Sequence, residues 1–229
     1  MVLRTTAGIL TTATLTVAAF APPARAQTVD QGVFQLFVNG QPVGSEEFVI
    51  QRTGSGAAQT TLARGTLTLR EGTVMTQLQV TGPGLTVYRY SVQVTGGDAR
   101  SVNVARTGDR LQARTVAPWG EELREYRATA GTLLLDRGVA HHYFLLRPFL
   151  DRMPSTAHAV SPLAESEETL SGFELETATR DVAGEATEVR IIRLQGRGGA
   201  REAWFDSSGR LVRASDEASG LVAERIPSA

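Results

Sequence analysis

The sequence predicts a mainly β protein: a single curved antiparallel sheet, or half-open barrel, of about 10 to 13 strands wrapped around one central helix. Short runs of alternating apolar and polar residues fill most of the chain, as half-buried strands require. Turn dipeptides join these runs so closely that neighbouring strands must pair antiparallel. One long segment, residues 136–153, has helical periodicity instead. A sheet this wide curls, and the helix would cover its inner face.

Residues 1–26 have the pattern of a secretory signal peptide. A positively charged start precedes an uncharged, mostly apolar run, and Ala24-Arg25-Ala26 gives the small-x-small pattern that a signal peptidase recognises. We therefore predict cleavage after Ala26 and a mature N-terminus at Gln27, in the periplasm or outside the cell. No linker or repeat divides the remainder, so we expect one domain over residues 27–229.

Composition excludes several classes of protein. The chain has no cysteine, which excludes disulfides, thiolate metal ligands, a cysteine nucleophile and a lipid-modified N-terminal cysteine. Cleavage would leave 21 basic residues against 24 acidic ones, a net charge of −3, which is too balanced to suggest a nucleic-acid partner. Aromatic residues make up only 6% of the chain and arginines occur on both faces of the strands, so we expect no stable membrane insertion.

The strands before the helix follow one another as a meander. The first two, 32–38 and 43–52, flank Asn39-Gly40, a dipeptide that tolerates positive φ at both central positions of a tight hairpin. Strict alternation in the fifth strand places Tyr88 and Tyr90 on one face. Further predicted strands cover residues 59–70, 73–80, 85–94, 99–105, 110–116, 121–128 and 132–135.

The predicted helix covers residues 137–152. Its apolar stripe, at spacings of four and three residues, consists of Val139, Tyr143, Leu146, Leu150 and Met153. Asp136 is the expected N-cap, because its carboxylate can accept from the free amides of the first turn. Pro148 has no amide proton and should kink the helix.

The chain after the helix returns to strands. An extended passage over residues 154–162 comes first, bounded by two prolines. Asp206-Ser207-Ser208-Gly209 predicts a type I turn that pairs the strands on either side of it. The predicted strands cover residues 167–177, 186–194, 200–205, 210–215 and 220–226.

No arrangement of residues predicts catalysis or metal binding, so we expect no catalytic residue, no metal and no cofactor. Adjacent glutamates such as Glu46-Glu47 lie in strands, where neighbours face opposite sides and do not converge on one substrate bond. His141 and His142 would point about 100° apart on a helix, which does not suit one shared metal ion. We expect His142 to pack in the core and His141 to be solvated.

An apolar pocket between the sheet and the helix is the predicted ligand site. Tyrosine offers an apolar body with a polar tip, which suits a pocket that is apolar at depth and able to donate hydrogen bonds at its mouth. The expected ligand is a hydrophobic or amphiphilic small molecule with an acyl or isoprenoid tail. The candidate ligand-binding residues are Tyr88, Tyr90, Tyr143, Leu146 and Phe149.

Three stretches resemble exported bacterial proteins of a domain of unknown function. They are Gly32–Leu36 with Asn39–Phe48, then Leu134-Leu135-Asp136 before the helix with Ser161-Pro162 after it, and Trp204–Arg213. That family is similar, more distantly, to the lipoprotein-localisation carriers, whose half-open barrel and helical lid hold acyl chains. The resemblance implies this fold and a hydrophobic ligand, and it carries over no catalytic residue.

Three functional hypotheses follow. The first is a periplasmic binding or carrier protein for a lipid-like amphiphile. The alternative is a non-catalytic envelope scaffold or interaction protein, in which the helix residues simply fill the core. A hydrolase is a distant third. The space between helix and sheet distinguishes them, because an empty apolar cavity favours a carrier and a packed core favours a scaffold.

Overall fold

The computed structural model describes residues 26–129 and 131–227. All of the predicted signal peptide except Ala26 lies outside the described residues. Within them, 15 strands form one sheet. The strands are β1 Gln27–Val38, β2 Gln41–Thr53, β3 Thr60–Leu69, β4 Gly72–Thr81, β5 Thr86–Val94, β6 Arg100–Thr107, β7 Arg110–Ala117, β8 Gly120–Arg127, β9 Leu133–Leu134, β10 Thr156–Ser161, β11 Ser166–Val182, β12 Glu185–Gly196, β13 Gly199–Asp206, β14 Leu211–Asp216 and β15 Leu221–Arg225.

The sheet consists of two meanders joined in its middle. The spatial order runs from β8 down to β1, then from β15 down to β9, so the first and last strands of the chain are neighbours. Phe34 in β1 lies opposite Arg225 in β15. Every pairing is antiparallel except the short parallel one between β9 and β10. Among the described strands, β8 and β9 form the two edges of the sheet, and they are not hydrogen-bonded to each other.

The sheet curves until its two edges come close together. The loop between β10 and β11 contacts strands of the opposite meander: Arg100 of β6 donates to the carbonyl oxygen of Leu163 at 2.9 Å, and Arg124 of β8 donates to the carboxylate of Glu165 at 2.9 Å. The prediction of one curved, open, mainly antiparallel sheet is therefore confirmed. The sheet has 15 strands, more than the predicted 10 to 13, and residues 156–161, predicted as merely extended, form β10. Pro154 and Pro162, which bound the extended passage, both lie outside this strand.

The helix differs from its prediction in type and length. It is a 3₁₀ helix from His141 to Leu150, shorter at both ends than the predicted 137–152. Gly138 has φ of +86°, a left-handed conformation that interrupts helical geometry just before this point. Pro148 lies inside the helix, and its carbonyl oxygen accepts from the amide of Asp151 at 3.4 Å, the i to i+3 pattern of a 3₁₀ turn. A second, three-residue 3₁₀ turn covers Gly56–Ala58.

The inner face of the sheet carries a continuous apolar core. Phe34 and Phe48, on neighbouring strands, stack with ring centroids 4.9 Å apart. The helix is part of this core: Leu145 and Leu146 are 2% and 0% exposed, and the helix contacts β3, β9, β12, β13 and β14. Within the described chain no helix is both long and apolar enough to span a bilayer.

Candidate ligand-binding site

Three of the predicted ligand residues have side chains that are buried in the core. Tyr90 is 2% exposed, Tyr143 is 3% and Leu146 is 0%. The fourth, Phe149, is half-buried and packs edge-to-face on Phe173 with ring centroids 5.5 Å apart. The helix side chains Tyr143 and Leu146 are therefore packed in the core, as the scaffold hypothesis expects for that region.

The fifth predicted residue, Tyr88, lies on the opposite face from Tyr90, and the expectation that the two share a face is wrong. Gln79 of β4 pairs with Arg89, whereas the next residue, Val80, pairs with Val87, so β5 carries an extra residue at this point. Such a bulge reverses the alternation of side chains. Tyr88 is consequently 40% exposed, with the guanidinium of Arg89 5.4 Å from its ring centroid.

An apolar cavity exists instead at the end of the sheet that carries the β1–β2 and β3–β4 turns. Its volume is about 450 Å³. Six apolar residues near the ends of β1 to β4 form one wall, and the segment before the helix forms the facing wall. The lining residues are Leu36, Val38, Val43, Leu67, Leu69, Arg70, Glu71, Val74, Arg137, Gly138, Val139, Leu163 and Leu221. We call this space the mouth cavity.

Asp136 holds one end of the Arg137–Val139 wall. Its Oδ1 accepts from the Ser161 hydroxyl at 2.7 Å and from the Leu163 amide at 2.8 Å, and its Oδ2 accepts from the Tyr90 hydroxyl at 2.7 Å. These bonds join the wall to β10 and β5, so Asp136 does not cap the helix as predicted. Burial raises the pKa of the Asp136 carboxyl, and the hydrogen bonds that it accepts oppose this rise.

Glu46 holds the other end of the same wall. Its side chain is fully buried, and its Oε2 accepts from the amide of Ala140 at 2.8 Å. Its Oε1 contacts Nδ1 of His141. His141 is 0% exposed, so the expectation that it is solvated is wrong. A 3₁₀ helix that is buried on nearly every side has no solvent face for this residue to occupy.

Gly65 makes room for this contact. A Cβ at residue 65 would lie 2.5 Å from Cε1 and 2.7 Å from Nδ1 of His141. On the ring's flank, Phe48 stacks nearly parallel, with an interplanar angle of 7° and centroids 6.0 Å apart. The glycine therefore permits an imidazole to lie against the backbone of β3, which the sequence pattern did not indicate.

His142 is buried, as predicted. Burial lowers the pKa of its imidazole, and the neighbouring His141 adds to this effect, so the ring is held neutral. Its Nδ1 accepts from the amide of Asp136 at 3.4 Å. The Nε2 atoms of both histidines are buried without a hydrogen-bond partner among the described residues. No group of three or more metal-ligating side chains is present in the described part of the chain.

Charged groups surround the opening of the mouth cavity. Arg70 and Glu71 form the β3–β4 turn, and Arg137 lies on the facing wall; all three are exposed. A smaller depression beside the helix, about 290 Å³, has a more polar lining, which includes Arg52, Gln59, Arg147 and Asp151. An apolar interior with charges only at the opening is the arrangement that suits an amphiphile.

A solved structure resembles this chain. It is the crystal structure of a β-barrel-like protein of the domain of unknown function DUF1849 from Brucella abortus, with a TM-score of 0.50 and 9% sequence identity over 86% of this chain and 94% of that one. At this identity the likeness shows the fold alone, and it supports the expected relation to β-sheet proteins of a domain of unknown function. No family model and no curated protein matches the chain.

Proposed function

We propose that the protein binds an amphiphile and holds its acyl or isoprenoid tail in the mouth cavity. The observation that carries this proposal is the apolar lining, which includes Leu36, Leu67 and Val139. Its volume of about 450 Å³ falls in the usual range for small-molecule sites. A sugar or nucleotide would leave its polar groups without partners against these walls.

The proposed site differs from the predicted one in its facing wall. The Arg137–Val139 segment, and not the side chains of the helix, faces the sheet across the cavity. In this proposal the sheet wraps around the helix. The helix fills the middle of the barrel and forms the floor of a pocket that is open at one end. The distant resemblance to lipoprotein-localisation carriers supports the same class of ligand.

A catalytic role has less support. Glu46 and His141 are the closest carboxylate–imidazole pair, but both side chains are 0% exposed, so a substrate has no route to them. We therefore propose a non-catalytic binding protein. The signal-peptide pattern supports export, and N-terminal sequencing of the secreted protein should find Gln27 first.

Binding of a fatty acid that carries a solvatochromic fluorophore tests the proposal. Delipidated protein should bind it with a dissociation constant in the micromolar range or tighter, about −8 kcal/mol. Leu69→Trp enlarges a half-buried side chain in the cavity lining and should weaken binding about tenfold or more. The measurement is the shift of probe emission on titration, with circular dichroism to confirm that the variant is folded.

Matched substitutions on the other face provide the control. Thr68 is the exposed neighbour of Leu69 in β3, so Thr68→Trp adds the same side chain outside the cavity. This variant and Tyr88→Ala should bind the probe as the parent does. Absence of probe binding by folded, delipidated parent protein would remove the carrier proposal.

The second candidate is the envelope scaffold, and two observations favour it. The core beneath the helix is filled, and the β7–β8 hairpin at the sheet edge exposes Trp119 to 71% and Leu123 to 75%. Large exposed apolar residues at an edge strand are suited to contact with a protein partner. This candidate becomes the better account if the probe does not bind.

A further inference from the structure

We infer that the head group of the bound amphiphile is anionic and that Arg70 and Arg137 hold it at the opening of the mouth cavity. The inference rests on the proposed function and names the ligand class of the same site. Both arginines belong to the cavity lining, and both are exposed. They are the two basic residues in the lining, and their guanidinium groups can donate hydrogen bonds to a ligand there.

The main chain of Arg137 is fixed on both sides. Its own amide donates to the Ser161 hydroxyl at 3.2 Å, and the Val139 amide donates to the carbonyl oxygen of Asp136 at 3.1 Å. The buried carboxylates of Asp136 and Glu46 then hold the two ends of this wall. Because the backbone of Arg137 is already held at these points, it loses little conformational freedom when a ligand binds.

The turn that carries Arg70 is fixed as well. Arg70 and Glu71 are the two residues between paired Leu69 and Gly72. A Cβ at Gly72 would lie 2.0 Å from the carbonyl oxygen of Thr95, and the amide of Thr95 donates to the carbonyl oxygen of Thr73 at 2.9 Å. The β5–β6 loop therefore packs backbone to backbone against the β3–β4 turn and holds it in place.

The two guanidinium groups also differ from most arginines of this protein in having no partner. Arg201 and Arg225, for example, are 12% exposed and form ion pairs with Asp216 and Asp30. Among the described residues, no ion pair or hydrogen bond involves the side chain of Arg70 or Arg137. With Glu71, the opening carries two positive charges and one negative charge.

Guanidinium groups at the edge of an apolar space select for planar or tetrahedral oxyanions. Arginine binds carboxylate and phosphate oxygens through two parallel N–H bonds, and these bonds are stronger where water is partly excluded. Carboxylate and phosphate head groups satisfy this geometry, whereas an uncharged alcohol leaves both guanidinium groups unpaired. A cationic head group would be repelled by the excess positive charge.

Three ligands with the same tail test the inference: decanoate, monodecyl phosphate and decanol, each titrated calorimetrically below its aggregation concentration. Both anions should bind at least about tenfold more tightly than decanol. Arg137→Gln and Arg70→Gln should each weaken anion binding about tenfold and leave decanol binding unchanged. Arg89→Gln, on the outer face, is the control and should alter none of the three.

The outcomes separate the two proposals. Equal binding of the alcohol and the anions, or unchanged anion binding in both arginine variants, overturns the anionic head group while the apolar site stands. Failure of all three ligands to bind folded protein overturns the proposed function itself. If the anions bind more tightly than decanol, the inference is supported. The order of the phosphate and the carboxylate then identifies which anion the head group carries.

Discussion

The inner face of the sheet has two neighbouring regions that differ in how they are filled. In the region of the helix, Leu145 and Leu146 pack into the core and are almost completely buried. One turn earlier in the chain, Gly138 and its neighbours face β1 to β4 and leave a cavity of about 450 Å³. Both regions have apolar walls. Leucine side chains fill the first region, whereas Gly138 has no side chain to occupy the space that it faces.

The cavity exists only because other contacts hold its wall, Arg137–Val139, away from the sheet. A short wall with a glycine in it would collapse onto the sheet if nothing restrained it, because empty apolar space costs dispersion contacts. Here Asp136 and Glu46 hold the wall's two ends through buried hydrogen bonds. The buried hydrogen bonds therefore position the wall that forms the cavity. Substitutions in the network and in the cavity lining should affect stability and ligand binding differently.

The largest effect should come from removing Glu46. Glu46→Ala leaves the imidazole of His141 and the amide of Ala140 buried without this partner, so we expect a loss of about 3–5 kcal/mol in the free energy of unfolding. Glu47, the exposed neighbour on the other face of β2, provides the control, and Glu47→Ala should change stability by less than about 0.5 kcal/mol. Urea denaturation of both variants makes the comparison. Equal, small losses would mean that the network does not hold the wall.

A substitution in the helix core should have a smaller effect, and it should change the free energy of unfolding but not ligand binding. Leu146→Ala creates a cavity in a fully packed region and should cost about 2–5 kcal/mol. Leu69→Ala, at the half-buried cavity lining, should cost about 1 kcal/mol because the side chain already borders empty space.

Ligand binding by the same two variants should show the reverse order. Folded Leu146→Ala protein should bind the fatty-acid probe as the parent does, whereas Leu69→Ala should weaken binding because it removes a contact with the tail. Loss of probe binding by folded Leu146→Ala protein would instead place the ligand beneath the helix, as the sequence first predicted.

Local features of the fold were the part that the sequence predicted well. Asn39 and Gly40 have φ of +51° and +77°, so the dipeptide forms the expected hairpin turn. In the predicted turn at Asp206, the amide of Gly209 donates to the Asp206 carbonyl oxygen at 2.8 Å. Each of these features depends on two to four consecutive residues, whose conformational preferences are strong.

The site depends on residues that are far apart in the chain, and sequence patterns did not predict it. Glu46 is 94 residues from Ala140, and Tyr90 is 46 residues from Asp136. The close contact of Gly65 with His141 has no local signal, since a glycine in a strand is compatible with many roles. Likewise, the bulge at Tyr88 breaks an alternation that looks unbroken in the sequence. Pattern arguments assume regular strands and cannot place such a break.

The smallest predicted effect concerns pH and the other end of the wall. Because burial raises the pKa of Asp136 in the folded protein above its ordinary value of 3.8, the folded state keeps this proton at pH values where the unfolded state has lost it. The contribution of Asp136 to stability is therefore greatest at low pH. It decreases as the pH rises from the unfolded to the folded pKa, and it is constant above that window.

Asp136→Asn isolates this contribution, because asparagine does not titrate and the Tyr90 hydroxyl can rotate to accept from its amide. The difference in unfolding free energy, variant minus parent, should increase with pH across the window and then level off. Subtracting the parent at each pH removes the titration of groups that do not interact with residue 136. Arg100, whose positive charge lowers the pKa of Asp136, is present in both proteins. Tyr90→Phe should extend the window to higher pH, since the lost hydrogen bond had favoured the ionised carboxylate. A difference that decreases with pH would show that the carboxylate is better stabilised in the folded protein than in water, and that hydrogen bonding outweighs burial at this end of the wall.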